Sequence, residues 1–464
     1  MAVTQATYYE DVLRIARGGA KPVHCRWFLE FIAQGRVIHA LTDDSPVDKP
    51  DGRVMQVATF NRLRNFELNF SEEAVLNVVM GVGTFDRVLF PHRRDLEVRL
   101  YRVPLSEISE NSLASAAVEV RRYRAVFHQV GSRALEADNN AYLNETAADL
   151  MSLEQYQFTL VNEVVEQLRL KLVGGIFRNC KPAQLIRTIL TAKSQEIDVE
   201  AGIKPLGVSM VPPDSEEGRT HIVVPPQTSL PDLPGRIQRF HGGVYSTGCG
   251  CFYQGRHWYV YPLYAVDRFL KAKRTLTIAN VPRQDMAAVE SSYQLQADQL
   301  YVIATGEVKH LDYSDIEQTN EGNGIRFIRA TELHRGFGSN EGNRTKINRA
   351  QHASEFVSDP NPSGINSVPV STNLITDNQY AEMSKLAVRQ GARVQVFWEN
   401  SQPDLIYPGM PCRFLYMENG QQRILYGVVL TAEDYSHIVG TVGHIKRHTQ
   451  NTALTLFVTR TQHS

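Results

Sequence analysis

The sequence predicts a mainly β protein with minor α content, built from several antiparallel barrel-like units. Three observations point there. Short runs that alternate apolar and polar residues recur along the chain, among them LEVRLYRVPL from Leu96 and ARVQVFWEN from Ala392. Turn-forming residues separate such runs, as ENGQQ separates CRFLYM from RILYGVVL. Helical spacing is confined to a few short stretches.

Taken in order, the N-terminal segment reads as strands. VHCRWFLEFIAQGRVIHALT alternates and turns at AQGR, a hairpin signal. NFELNF (65–70) reads as a short strand. SEEAVLNVVMG (71–81) reads as a helix, with Ser71 as N-cap, Glu72 and Glu73 in the first turn and Gly81 as stop. In LEVRLYRVPL, Leu96, Val98 and Leu100 share one face of a strand. AAVEVRRYRAVFHQV continues the pattern, with Glu119, Arg121 and His128 expected towards solvent. QYQFTLVNEVVEQLRLKLVGGIFRN (155–179) suits a helix or a long strand; its β-branched residues and Gly174-Gly175 favour strand. A helix follows from Pro182, capped by Asn179 or Cys180, with a stripe of Leu185, Ile186, Ile189 and Leu190.

Residues 201–233 are proline-rich and read as a connector, because proline pairs do not sit inside a central strand. GRIQRFHGG reads as a short helix ending at Gly242 or Gly243. CGCFY and HWYVYPLY flank the turn QGR, where Gly255 is free to take positive φ. RTLTIANVP and QLYVIATGEVKHLDY are strands. Residues 314–376 are rich in Asn, Gly, Ser and Thr, an excursion suited to docking. DNQYAEMSKLAVRQG is a helix, and the remainder is strand, with the spacing of a small antiparallel barrel. The expected organisation is therefore 1–200, an N-terminal mixed β/α barrel-like region; 201–313, a middle domain with an aromatic hairpin; 314–376, the polar excursion; and 377–464, a C-terminal β-barrel.

With 464 residues, 42% hydrophobic and 21% charged, the chain has the composition of a folded, soluble protein. A net charge of -1 excludes a chain-wide electrostatic grip on nucleic acid or membrane. Five cysteines, at 25, 180, 249, 251 and 412, are too few and too scattered for a disulfide scaffold. The N-terminus lacks the unbroken apolar run of a signal peptide, and no run of about 18 apolar residues spans a membrane.

The densest chemistry lies in HGGVYSTGCGCFYQGRHWYVYPLY (241–264). In a strand, Cys249 and Cys251 share a face, roughly 6.5–7 Å apart at Cα, which disfavours a disulfide between them. His257 on the return strand would be a third metal ligand; His241 lies in the preceding helix. A C-x-C in a strand lacks the wrapping knuckle of structural zinc sites, so two small apolar residues in an aromatic hairpin is the better reading. GVGTF at Gly81 opens no helix and reads as a helix stop rather than a phosphate loop. His444 and His448 are four apart but read as surface positions. RRYRAVFH (121–128) splits its charge over two strand faces, which weakens a nucleic-acid reading. No catalytic, cofactor-binding or metal residue is assigned.

Three stretches carry a resemblance: VVEQLRLKLVGGIFRNCKPAQLIRTIL, HGGVYSTGCGCFYQGRHWYVYPLY and NSQPDLIYPGMPCRFLYMENGQQRILYGVVL, in that order. They resemble the central baseplate hub protein of contractile-tailed bacteriophages, and the hub half of the type VI secretion spike protein is similar. VGGIFRN (173–179) and DLIYPGMPCRFLY (404–416) are the most specific wording, and the resemblance covers Asn65 to Arg460. It implies a homotrimer whose subunits each contribute two similar tube-type barrels, making a pseudo-hexameric ring. Such a ring adapts the six-fold tail tube to a three-fold central spike, and DNA passes through its lumen without specific binding. Implied partners are the spike, tail tube, baseplate wedge and tape-measure proteins. The implied location is the virion, after assembly in the host cytoplasm, with no membrane, cofactor or enzymatic activity. Some relatives carry the spike or a lysozyme module in the same chain; here neither follows Arg460, so the spike is expected to be a separate polypeptide. Two alternatives stand beside this. One is another tail component, such as a tube-terminating or wedge protein. The other is a zinc-binding enzyme or carbohydrate-binding protein using the Cys249/Cys251/His257 face.

Overall fold

The computed structural model describes residues 5–19, 24–41, 56–81, 84–104, 119–127, 153–282, 292–309, 391–418, 420–442 and 445–459, with five short strands between 325 and 370 and positions 380, 384, 387 and 388. The N-terminal strands are β1 (Cys25–Ala33), β2 (Arg36–Leu41), β3 (Gln56–Asn65), β4 (Glu73–Gly81), β5 (Leu96–Pro104), β6 (Glu119–Phe127) and β7 (Leu153–Val161). The middle of the chain adds β8 (Leu172–Cys180), β9 (Gly207–Met210), β10 (Arg219–Ser229), β11 (Cys249–Gln254) and β12 (His257–Pro262). Then come β13 (Thr275–Asn280), β14 (Tyr293–Gln296) and β15 (Gln299–Lys309). The short strands are β16 (Ile325–Arg329), β17 (Gly338–Glu341), β18 (Arg344–Ile347), β19 (Glu355–Val357) and β20 (Asn366–Val370). β21 (Ala392–Trp398), β22 (Pro411–Glu418), β23 (Gln421–Val442) and β24 (Ile445–Thr459) complete the chain.

The protein is mainly β with few helices, as its alternating patterns predict. A 14-stranded mixed sheet runs β13-β22-β23-β3-β4-β7-β6-β5-β1-β24-β21-β15-β14, with β2 beside β1. Two further pairings, β13 with β15 and β23 with β24, turn this path back on itself. One circuit passes through β13, β22, β23, β24, β21 and β15. The other passes through β23, β3, β4, β7, β6, β5, β1 and β24. The strands thus belong to one continuous sheet rather than to separate barrels, because β23 and β24 serve both circuits.

The length of β23 makes that sharing physical. Its 22 residues span roughly 70 Å at strand rise. Residues 421–428 pair with β22, and 431–437 pair with β3. The register against β24 shifts between Val429 and Thr431, at the change of partner. A bulge there bends the strand from one circuit into the other.

Each circuit surrounds an apolar core. Trp398, Phe414, Val428, Leu454 and Leu456 belong to the first. Trp27, Phe31, Leu76, Val98 and Phe158 belong to the second. A third core holds the middle unit together, with Ile186, Ile222, Ile237, Tyr245 and Trp258 at its centre. There, helices Glu163–Leu170, Pro182–Gln195 and Leu233–Phe240 pack with the two-stranded β10-β8 sheet and the three-stranded β11-β12-β9 sheet. The predicted stripe of Leu185, Ile186, Ile189 and Leu190 is buried, each side chain contributing about 1.5–3 kcal/mol.

Several elements differ from the sequence reading. Residues 73–81 form β4, not a helix, since Ala74, Leu76, Val78 and Met80 alternate into the core between β3 and β7. Strand pairing on both sides overrides the Ser-Glu-Glu capping signal. NFELNF is a turn: Asn65 Oδ1 accepts from the backbone N–H groups of Glu67 and Leu68, at 3.1 and 3.0 Å. The N-terminus begins with helix Gln5–Gly18, which buries Val12, Ile15 and Ala16 against Ala279, Val281, Ile303 and Leu415. The 155–179 stretch is strand, helix and strand, because the Asn162 side chain accepts from Val164 N and caps helix Glu163–Leu170. The next helix has Lys181 as N-cap, with no side-chain cap bond. The proline-rich connector contains β9 and β10. Pro225 and Pro226 lie where the β10 register is interrupted, between Val224 and Thr228. That placement respects the missing donors of proline.

In the polar excursion, β16 pairs with β19 and β20, and β17 pairs with β18. The rest of 314–376 lies outside the described residues. So does most of the predicted 377–391 helix, although positions 380, 384, 387 and 388 have helical backbone.

Candidate functional site

The aromatic hairpin forms as the sequence predicts. β11 and β12 pair from Cys249↔Pro262 to Gln254↔His257. Gly255 and Arg256 close it with φ of 56° and 67°, the two left-handed positions of a type I′ turn. Cys249 and Cys251 are partly buried against the core of the middle unit. Burial pushes the Cys249 thiol up to about 12, and burial together with Cys249 pushes Cys251 well above the usual range. A ligand or nucleophile needs the thiolate, which such surroundings suppress at neutral pH.

His257 sits at the turn, three strand positions from the Val260 that pairs with Cys251, or roughly 10 Å along the strand. His257 is half-buried, with ring Nδ1 3.1 Å from the Gly255 carbonyl. His241 follows helix Leu233–Phe240, and burial lowers its imidazole below the ordinary value. The structure therefore brings the two thiols to one face and leaves both histidines elsewhere. Among the described residues, no three His, Cys, Asp or Glu side chains are grouped so as to hold a metal ion.

What the hairpin does is fasten the middle unit to the sheet. The Tyr261 ring is held between Gly250 and Gly409, and a Cβ on either glycine would overlap it. The Tyr261 hydroxyl donates to Phe66 O at 2.7 Å, and Gln254 Nε2 donates to Ile406 O at 3.1 Å. Arg268 Nη1 donates to Gly409 O at 3.2 Å. Two of the three stretches that carry the resemblance, through Gly250 and Gly409, thus meet at one ring.

A buried ion cluster fixes the same 403–406 turn from the other side. Arg62 and Arg64 lie two apart on β3 and so share a face. Arg64 is fully buried; Nη1 donates to Ile406 O at 2.9 Å, and Nη2 donates to Pro403 O at 3.0 Å and Asp434 Oδ1 at 2.9 Å. Arg62 pairs with Asp404 at 3.0 Å, Asp434 at 3.1 Å and Glu72 at 3.5 Å. Arg121 joins Asp404 at 3.2 Å, and Thr452 Oγ1 donates to Asp434 Oδ1 at 3.1 Å. Burial alone would lower Arg62, and Arg121 acts the same way, yet Asp404, Asp434 and Glu72 hold it above its ordinary value. Burial would raise Asp404, but Arg62, Arg121 and Arg64 keep its carboxyl well below the usual range. Arg62 and Asp404 stay ionised, and the cluster is mutually paired, an arrangement suited to fixing geometry. Beside them lies a cavity of ≈ 1020 Å³, lined in part by Arg121, Tyr123, Tyr253, Asp404 and Tyr407. Arg122–Glu200 at 2.8 Å neutralises further charge on its wall.

No protein-family model matches the sequence, and no curated protein matches it. Solved structures match over nearly the whole chain. A tail protein from Neisseria meningitidis MC58 is 10% identical, with a TM-score of 0.42, covering 93% of this chain and 96% of that one. The 43 kDa tail protein of prophage MuSo2 from Shewanella oneidensis is 8% identical, with a TM-score of 0.45, over 93% and 98% of the two chains. A chain of the lidded PdpA–VgrG complex of Francisella is 7% identical, with a TM-score of 0.40, over 98% of this chain and 56% of that one.

Sequence reasoning missed the ion cluster. It expected Arg121 towards solvent, whereas that side chain packs beside buried Tyr123 and reaches Asp404. A signal existed in FNRLRNF: Phe60, Arg62 and Arg64 fall on one strand face, and Phe60 is buried. Charges in line with a core phenylalanine demand buried partners. His448, expected at the surface, is buried in β24 with Nε2 3.0 Å from Val57 O. His444 and His128 lie outside the described residues.

Proposed function

We propose that this chain is a structural component of a contractile phage tail, the central hub of the baseplate, acting as a homotrimer. The observation that carries the reading is the doubled circuit: one chain closes two β circuits side by side on a shared hairpin. Three such chains about an axis present six β units, so one polypeptide meets a six-fold tube on one face and a three-fold spike on the other. The three stretches that resemble baseplate hub proteins support it, and two of them meet at the Tyr261 joint, where a rigid subunit is needed. Closed circuits also remove most sheet edges, which suits a part that must pack without aggregating.

In this reading each chain's two circuits act as similar tube-type barrels. DNA passes through the lumen without specific binding, and the spike, tube, wedge and tape-measure proteins are the neighbours in the virion. The chain works by shape, through its paired ion cluster and glycine-clamped tyrosine, and carries out no chemistry. Electron microscopy of tail particles labelled on this chain tests it. Three labels at the axial end of the tube are expected; labels along the sheath or at the periphery overturn it.

A further inference from the structure

The cavity of ≈ 1020 Å³ beside the ion cluster lies where the middle unit meets both circuits, and it has the size of a small-molecule site. Most charges on its wall are already paired. Arg62 and Arg121 face Asp404, Arg122 faces Glu200, and Arg274 faces Asp298 at 3.5 Å. Glu163, a wall acid without an ion pair among the described residues, is exposed in the first turn of its helix, where water solvates it and the helix dipole favours it.

Two wall residues keep groups that the fold leaves unused. Tyr253 is 6% exposed, its ring packed edge-on against Trp258, and its hydroxyl has no hydrogen-bond partner among the described residues. A buried hydroxyl without a partner is costly. Arg256, three residues on, is half-buried. Its Nε donates to Lys204 O at 2.9 Å, and no carboxylate pairs with its guanidinium among the described residues. Burial pushes the Tyr253 hydroxyl up to about 12 while Arg256 pulls it down, so the two groups lie within each other's field.

The backbone adds a reason to single out Arg256. It holds the second left-handed position of the hairpin turn, with φ of 67°, where glycine is favoured. The turn alone would be better served by glycine, so what arginine adds is a cation on the cavity wall. Nearby, the Tyr259 and Tyr407 rings, with centroids 6.4 Å apart, give the same cavity an aromatic surface.

We infer that this cavity binds a small organic acid, with its carboxylate held by the Arg256 guanidinium and the Tyr253 hydroxyl and a flat apolar body laid against Tyr259 and Tyr407. Guanidinium and carboxylate match as a two-bond fork, and the hydroxyl donates a further bond to the anion. The inference stands whether or not the chain is a hub, because it rests on this wall alone.

Calorimetric titration of the full chain with naphthoate, and with naphthamide as the neutral probe of the same shape, tests it. The acid is expected to bind roughly tenfold more tightly than the amide. Arg256→Gly suits the turn, so the hairpin keeps its fold, and it should bring the two probes to equal affinity. Tyr253→Phe should weaken naphthoate about threefold and leave naphthamide unchanged. Amide hydrogen exchange should place the protection by naphthoate at 253–259 and 404–407. Equal affinity for acid and amide in the unaltered chain, a preference for the acid that survives Arg256→Gly, or no binding of either at about 10 mM overturns the inference. So does protection confined to another part of the chain.

Discussion

Replacing Arg64 tests whether the ion cluster fixes the shared architecture. Arg64→Met keeps much of the side-chain volume and removes the guanidinium. Pro403 O and Ile406 O each lose one donor while keeping another, Ile406 N and Gln254 Nε2, and Asp434 loses one of its two arginines. A lost hydrogen bond to a charged group costs about 1.5–3 kcal/mol. Asp434 keeps Arg62 and the Thr452 hydroxyl, so its own loss is smaller than that of a stranded charge. Breaking a buried pair costs about 3–5 kcal/mol, and about 4 kcal/mol is expected here. Urea unfolding followed by near-ultraviolet circular dichroism measures it, with the m-value unchanged. Arg64→Met combined with Asp434→Asn should cost clearly less than the two single changes added. A loss under about 1 kcal/mol, or strict additivity, would refute the view that this cluster holds the 403–406 turn.

Gly409→Ala should cost about 2–3 kcal/mol, because φ is +67° and the new Cβ meets the Tyr261 ring; a thermal melt reads the loss. Iodoacetamide at pH 8 should modify Cys249 roughly a thousandfold more slowly than a free thiol, since burial raises it to about 12; mass spectrometry of the labelled peptide follows the rate. Alkaline solution should destabilise the fold. Cys249, Cys251, Tyr245 and Tyr261 all have folded values raised by burial, so their contribution is full below the unfolded values of about 8.5 and 10 and declines as pH rises past them. Urea midpoints at pH 7 and pH 10 should differ in that direction. Asp404 runs the other way: its folded value is depressed, so its contribution is present above the unfolded value of about 4 and is lost as pH falls below it, visible in acid titration and absent in Asp404→Asn.

Local pattern made some of this legible in sequence. β5, β11, β12, β21 and β22 follow from alternation bounded by turns, and Gly255 and Gly420 take the positive φ that their turns require. β4 was not legible, because its Ser-Glu-Glu start imitates a helix cap while its pairing partners lie elsewhere in sequence. The circuits were out of reach for the same reason: β23 meets β3 through pairs such as Thr431↔Asn65, which no local window contains. At the hairpin, the period of two placed Cys249 and Cys251 on one face, whereas the distance to His257 depended on how far along the return strand it fell. The Arg64–Asp434 pair joins residues far apart in the chain, and only the strand face shared with Phe60 hinted at it.

The most direct test of the tail-hub reading is the copy number and symmetry of the chain. Native mass spectrometry and single-particle microscopy of the purified protein should give a mass three times that of the chain and a ring with three-fold symmetry whose inner wall shows six β units. A monomer at every concentration, or a closed dimer about a two-fold axis, would contradict it.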